Sequence, residues 1–249
     1  MRPHAQTEWK PDPSFARLEL GRSVFLLRRD ILRHAPTIAA TLRNLGGSAA
    51  SEGEGNRSSG HKLKLDGGPD LFIRQAKRGG LARLVLKDIY FGINARPIAE
   101  LALATKASRR GIPVAEPMGA MVEWIAPAVY RGFFLSRAIP GMTLWEFLCT
   151  DDDPLVVKHV LTIARAAIVT MHDKGLFHAD LNLHNLMVTQ SGESFKVLIL
   201  DLDKARLFDS AVKPALRVKN AARLLRSARK LDPEGKHLDA SALSILDVS

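Results

Sequence analysis

Apolar and polar residues alternate along His61-Lys62-Leu63-Lys64-Leu65. A period of two sends the leucines to one face and the lysines to the other, so a strand is predicted. Asp66-Gly67-Gly68-Pro69 carries turn chemistry, and Leu71-Phe72-Ile73-Arg74-Gln75 reads as the return strand of a hairpin. Over residues 95–110 the period lengthens. Ala95, Ile98, Ala99, Leu101, Ala102 and Ala104 recur at helical spacing, and Gly111 ends the helix. Further strands are predicted near 120–124 and 128–136. Asp152 and Asp153 precede Pro154. Capping acids followed by proline at the first helical position start a helix, which runs to about His172, before Gly175. The last clear helix covers about 216–231. Residues 25–32 suit a short strand or a helix equally, and the Gly/Ser-rich stretch 44–60 reads as a flexible loop.

The order of these elements predicts an α+β, two-lobed architecture. An N-terminal flank covers 1–36, a strand-rich lobe 37–138 and a mainly helical lobe 139–249, with Ile139-Pro140-Gly141 as the hinge. No internal repeat interrupts this plan. With 46% hydrophobic and 25% charged residues, the composition is that of a soluble globular protein. The single cysteine, Cys149, excludes an internal disulfide framework and fits a reducing compartment. It lies in an apolar run after Trp145, so it is expected in the core. No apolar run near the start resembles a secretory signal, and none approaches the ~18 residues of a membrane-spanning helix.

Charge narrows the choice of partner. The net charge is +10 and the pI about 10.0, which favours a polyanion. Aromatics make up only 6% and do not interleave with the basic clusters. A single-stranded nucleic acid needs such stacking platforms, so no nucleic-acid partner is expected. Arg217, Lys219, Arg223, Arg226, Arg229 and Lys230 load one predicted helix. They form either a solvated face or a contact for substrate phosphates and an anionic membrane surface.

The candidate chemistry lies in Gly175-Leu176-Phe177-His178-Ala179-Asp180-Leu181-Asn182-Leu183-His184-Asn185-Leu186, followed by Val197-Leu198-Ile199-Leu200-Asp201. An Asp, then an Asn five residues on, then an apolar strand ending in Asp is the core of protein-kinase-like phosphoryl transfer. Asp180 is the candidate base for an attacking hydroxyl. Asn185 and Asp201 are the candidate ligands of magnesium, which takes oxygen donors and keeps several waters. His178 is read as a buttress of the loop and His184 as loop packing. No His/Cys cluster has zinc spacing.

These residues give the chain a resemblance to the 3-deoxy-D-manno-octulosonic acid (Kdo) kinases, within the wider group of lipopolysaccharide core kinases. It rests on His178 to Asn185, on Asp201-Leu202-Asp203 and on Arg78-Gly79-Gly80-Leu81. Arg96-Pro97-Ile98-Ala99-Glu100-Leu101, Gly111-Ile112-Pro113-Val114 with Glu116-Pro117, and Arg223-Leu224-Leu225-Arg226-Ser227 add to it. Coverage is roughly residues 60–231. The resemblance implies a protein-kinase-like fold, ATP and Mg2+ as cofactors, and phosphorylation of a Kdo hydroxyl, the 4-hydroxyl, on a Kdo-lipid A glycolipid. It also implies peripheral attachment at the cytoplasmic face of the inner membrane. Ala179 replaces the Arg that protein kinases use to meet a phosphorylated activation loop. Asn182 stands where they carry Lys, and Asp203 replaces their Gly. The strand Lys that grips ATP phosphates has no clean match. Arg74 is the candidate in its place, with Glu100 as its helix partner, against the plainer reading of an exposed strand Arg and a solvated Glu. Gly53-Glu54-Gly55 is a weak candidate for a phosphate-covering loop. A heptose kinase of the same core, or a catalytically silent kinase-fold binding protein, is the alternative.

Overall fold

Two strands come first, within the stretch expected as a flank. Strand β1 (Phe15–Leu20) and β2 (Ser23–Arg28) pair antiparallel, and a 3-10 turn (Arg29–His34) leads into helix α1 (Ala35–Gly47). Residues 25–32 therefore hold both conformations in succession: strand to Arg28, then helical turn. Helix α1 also occupies the start of the stretch read as a loop. The computed structural model describes residues 12–47, 60–75, 90–91, 95–127, 129–151 and 153–248. Gly53-Glu54-Gly55 and Arg78-Gly79-Gly80-Leu81 lie outside the described residues.

The chain divides into two compact units, Met1–Ala102 with Glu116–Ala138, and Leu103–Ala115 with Ile139–Ser249. The first is built on one sheet. The predicted hairpin is β3 (Gly60–Leu63) with β4 (Leu71–Gln75), followed by β5 (Tyr90–Phe91), helix α2 (Arg96–Arg109), of which the part to Ala102 belongs to this unit, β6 (Pro117–Ala126) and β7 (Val129–Arg137). The seven strands run in the order β1-β2-β6-β7-β4-β3, with β5 beside β7. Alternation along β2 shows how both faces are covered. Phe25 and Leu27 join Ile38 and Leu42 of α1, while Leu26 points the other way, to Leu101 of α2 and Ala120. A strand buried on both sides loses the simple polar alternation, which is why β2 was ambiguous in sequence.

The second unit is mainly helical. Strand β8 (Met142–Thr143) leads to α3 (Leu144–Thr150), whose start is a reciprocal capping box between Thr143 and Glu146. Helix α4 (Pro154–Asp173) begins at the expected place, with the Asp153 carboxylate accepting the Leu155 amide. At 20 residues, α4 is long and apolar enough to cross a membrane on length and composition alone, contrary to the expectation that no segment is. Val160, Leu161, Ala164, Ile168 and Met171 are nevertheless buried in this unit, whose core accounts for that apolar face. Cys149 is exposed, not in the core. Being last but one in a short helix, it turns away from the buried Leu144, Phe147 and Leu148. Then follow β9 (Leu176–Phe177), β10 (Leu186–Ser191), β11 (Ser194–Ile199), β12 (Arg206–Leu207), α5 (Pro214–Leu231) and a final short helix, α6 (Ala240–Leu246), that no sequence pattern announced.

Candidate active site

The loop carrying Asp180 is anchored at its root. Gly175 ends α4 with φ 87°, and a Cβ there would stand 2.5 Å from the Phe208 carbonyl oxygen, so only glycine fits. Strand β9 then pairs with β12, Leu176 opposite Leu207. The Arg110 guanidinium donates to the carbonyls of Phe208 and Lys174 and so ties the two ends of this corner.

His178 is the internal strut. It is 1% exposed. Its Nδ1 accepts the Asp180 amide at 3.2 Å, so its Nε2 carries the proton and donates to the Leu200 carbonyl at 2.9 Å. Burial pushes its pKa below the ordinary value, against the opposing pull of the Leu200 carbonyl. A neutral ring thus joins the backbone of one candidate residue, Asp180, to the residue before another, Asp201. It braces the loop, as expected, and both ring nitrogens are committed to that bracing.

Asn220 of α5 was not anticipated. It is 1% exposed. Its amide donates to the His178 carbonyl at 2.6 Å, and its oxygen accepts the His178 amide at 3.4 Å and faces His172 Nε2 at 3.0 Å. One side chain therefore satisfies both backbone groups of His178 and links α4, the loop and α5. Its position one turn before Leu224 and two before Ala228, on the buried stripe of an otherwise basic helix, is the signal that marks it.

Beyond His178 the loop closes on Asp180. The side-chain amides of Asn182 and Asn185 both donate to the Asp180 carbonyl, each at 2.9 Å. The Asn182 oxygen accepts the amides of His184 and Asn185. Asn182, in the slot of the protein-kinase Lys, is thus a loop former with no charge. The Asp180 carboxylate is half exposed; Oδ1 pairs with Arg223 Nη1 at 3.1 Å, and Oδ2 carries no hydrogen bond among the described residues.

The backbones next to the two metal candidates are joined through β-register. In the β10–β11 hairpin Leu186 faces Ile199, and the Leu200 amide donates to the Asn185 carbonyl at 2.9 Å. Asn185 and Asp201 flank this joint. The Asn185 amide nitrogen is spent on Asp180, which leaves Oδ1 without a hydrogen bond among the described residues. Asp201 has φ 56°, the one left-handed non-glycine among the described residues. Such strain is retained where the surroundings enforce it, commonly at functional positions. Among the described residues no three His, Cys, Asp or Glu side chains cluster as a metal site. An oxygen pair fits magnesium, which would draw its other ligands from phosphates and water.

Arg74 and Glu100 belong to the first unit. The expected pair is present: Arg74 of β4 donates to Glu100 of α2, whose side chain is 6% exposed against 28% for Arg74. The guanidinium also lies 5.9 Å from the centre of the Phe134 ring, its cross-strand neighbour.

A strand-rich unit and a helical unit carrying an Asp–Asn–Asp series define the protein-kinase-like fold. The chain belongs to the lipopolysaccharide kinase (Kdo/WaaP) family, whose model matches residues 44–243. A 3-deoxy-D-manno-octulosonic acid kinase from Xylella fastidiosa (strain 9a5c) is 33% identical over 193 residues, 76% of this chain and 73% of that protein. One from Stenotrophomonas maltophilia (strain R551-3) is 30% identical over 221 residues, 86% and 83% of the two chains. Among solved structures, WaaP in complex with acyl carrier protein superposes with a TM-score of 0.51 at 15% identity, covering 89% of this chain and 95% of WaaP. The Rio2 kinase–ADP/Mg2+–phosphoaspartate complex from Chaetomium thermophilum gives 0.50 at 16% identity, covering 95% of this chain and 73% of the other. At these identities the two structures bear on the fold.

Proposed function

We propose that the protein transfers the γ-phosphoryl group of ATP to a Kdo hydroxyl, the 4-hydroxyl, of Kdo-lipid A. The observation that carries this reading is the Asp180 loop. It holds a carboxylate with one oxygen that has no hydrogen bond among the described residues, braced from beneath by a neutral His178 and Asn220, next in the fold to Asn185 and the strand end before Asp201. The 30–33% identity to Kdo kinases supports the choice of sugar.

Asp180 Oδ2 accepts the proton of the sugar hydroxyl as its oxygen bonds to the γ-phosphorus, and ADP departs. Asn185 and Asp201 would hold Mg2+, which offsets charge on the phosphate oxygens. Arg74, oriented by buried Glu100, would grip the nucleotide's phosphates; a planar guanidinium suits bidentate contact. Docking on the cytoplasmic face of the inner membrane fits the exposed cations of α5. Arg217 is taken up by Asp173 and Arg223 by Asp180, but Lys219, Arg226, Arg229 and Lys230 are exposed. Each cation near an anionic leaflet contributes about 1 kcal/mol.

The test is phosphate transfer from ATP, with magnesium, to Kdo-lipid A, free Kdo and a heptosylated acceptor side by side. Kdo-lipid A is expected to be labelled on Kdo and to be the best acceptor. Labelling confined to heptose would replace this reading with that of a heptose kinase. Nucleotide binding without transfer would indicate a silent binding protein.

A further inference from the structure

We infer that Arg223 is a catalytic residue: its guanidinium, delivered from α5, supplies to the transferring phosphoryl group the positive charge that the Asp180 loop itself lacks. The inference rests on the proposed phosphotransfer and adds a group to it. Sequence pattern placed Arg223 on a basic helix face, either solvated or in contact with substrate phosphates and an anionic membrane surface. The structure turns it to the base, with Nη1 3.1 Å from Asp180 Oδ1.

Three observations converge. First, the loop is electrically incomplete. Asn182 has no charge, and both ends of its amide are used to shape the loop, on the Asp180 carbonyl and on the His184 and Asn185 amides. Second, Arg223 has capacity to spare. Of its five N–H donors, one meets Asp180, and among the described residues Nε and Nη2 have no acceptor. A phosphoryl oxygen beside the base would be met by that free edge, in the fork geometry at which guanidinium excels. Third, stability does not account for the contact. Both side chains are half exposed, 52% and 56%, and an exposed ion pair contributes little to folding. What holds the helix there is the buried stripe of Asn220, Ala221, Leu224 and Ala228, so Arg223 is free to serve the reaction. In the transition state charge is spread over the three equatorial oxygens and builds on the leaving oxygen, and a cation fixed to meet that arrangement stabilises it.

Arg223→Ala and Arg223→Lys are compared with wild type by thermal melt and by initial rates with ATP and Kdo-lipid A. A fixed donor lost from a reacting oxyanion costs about 100-fold or more in kcat. That loss is expected for Arg223→Ala, with the melting temperature and both KM values nearly unchanged. Arg223→Lys should recover part of kcat, and millimolar guanidinium should restore part of the rate to Arg223→Ala. A kcat for Arg223→Ala close to wild type would overturn the inference. So would a raised KM for the glycolipid at unchanged kcat, which would make the guanidinium a ligand for an acceptor anion. A melt lowered with the rate, without rescue by Lys or guanidinium, would make Arg223 structural and equally overturn it. If wild type labels no glycolipid, the substrate reading fails by itself, and ATP hydrolysis to water takes over as the rate compared. A fall of hydrolysis in Arg223→Ala supports the role, and equal or absent hydrolysis refutes it.

Discussion

His172 and His178 are buried histidines whose pKa burial lowers; the Asn220 and Leu200 bonds oppose the shift without cancelling it. Between their folded values and about 6.5, the unfolded chain binds more protons than the native one. Their contribution is therefore full above about pH 6.5 and is lost as pH falls through the folded values. Each extra proton lowers stability by about 1.4 kcal/mol per pH unit. Urea denaturation should give a smaller unfolding free energy at pH 5.5 than at pH 7.5, and His172→Gln should flatten that slope. A flat profile in wild type would show that these rings are not held neutral. At this scale Asp180, Asn185 and Asp201 were singled out by their spacing, and the structure links Asn185 to the Asp180 carbonyl and to the strand end before Asp201; their part in phosphoryl transfer is the proposal. Asn220 was not read, since its partner lies 42 residues away, although its place on the buried stripe was a usable sign. The partner of Arg223 was left open for a related reason: a charge on a basic helix looks the same whether it meets water, a phosphate or a carboxylate.

Strand β4 and helix α2 meet at the Arg74–Glu100 pair. Removing a hydrogen bond to a charged group typically costs about 1.5–3 kcal/mol. Arg74→Ala is thus expected to lower kcat/KM for ATP on the order of 10- to 100-fold, while the exposed Lys64→Ala changes little. Steady-state kinetics checks this, with a thermal melt to register the cost of leaving Glu100 unpaired. A silent Arg74 beside a damaging Lys64 would move the phosphate-gripping role to Lys64. Elements whose ends carry local chemistry were legible: the Asp66–Pro69 turn between β3 and β4, Asp153 with Pro154 at the head of α4, and Gly111 after α2. The first strand was missed because it is an edge strand with only Phe15 buried. Helix α6, at seven residues, is too short to display a period.

At the scale of the molecule, a chain of net charge +10 comprises a sheet-based unit, which carries Arg74 and Glu100, and a helical one, which carries Asp180, Asn185 and Asp201. Family membership was legible in the motifs. The hydroxyl that receives phosphate was not, because an acceptor is recognised by side chains scattered through the sequence. The central claim is that Asp180 is the base of a sugar kinase. Its most direct test is the initial rate of transfer from ATP to Kdo-lipid A by wild type and by Asp180→Asn. General-base positioning contributes ~100- to 10,000-fold, so the variant should melt with wild type, bind ATP as tightly and lose at least about 100-fold in rate. A variant retaining more than about a tenth of the wild-type rate would contradict the assignment.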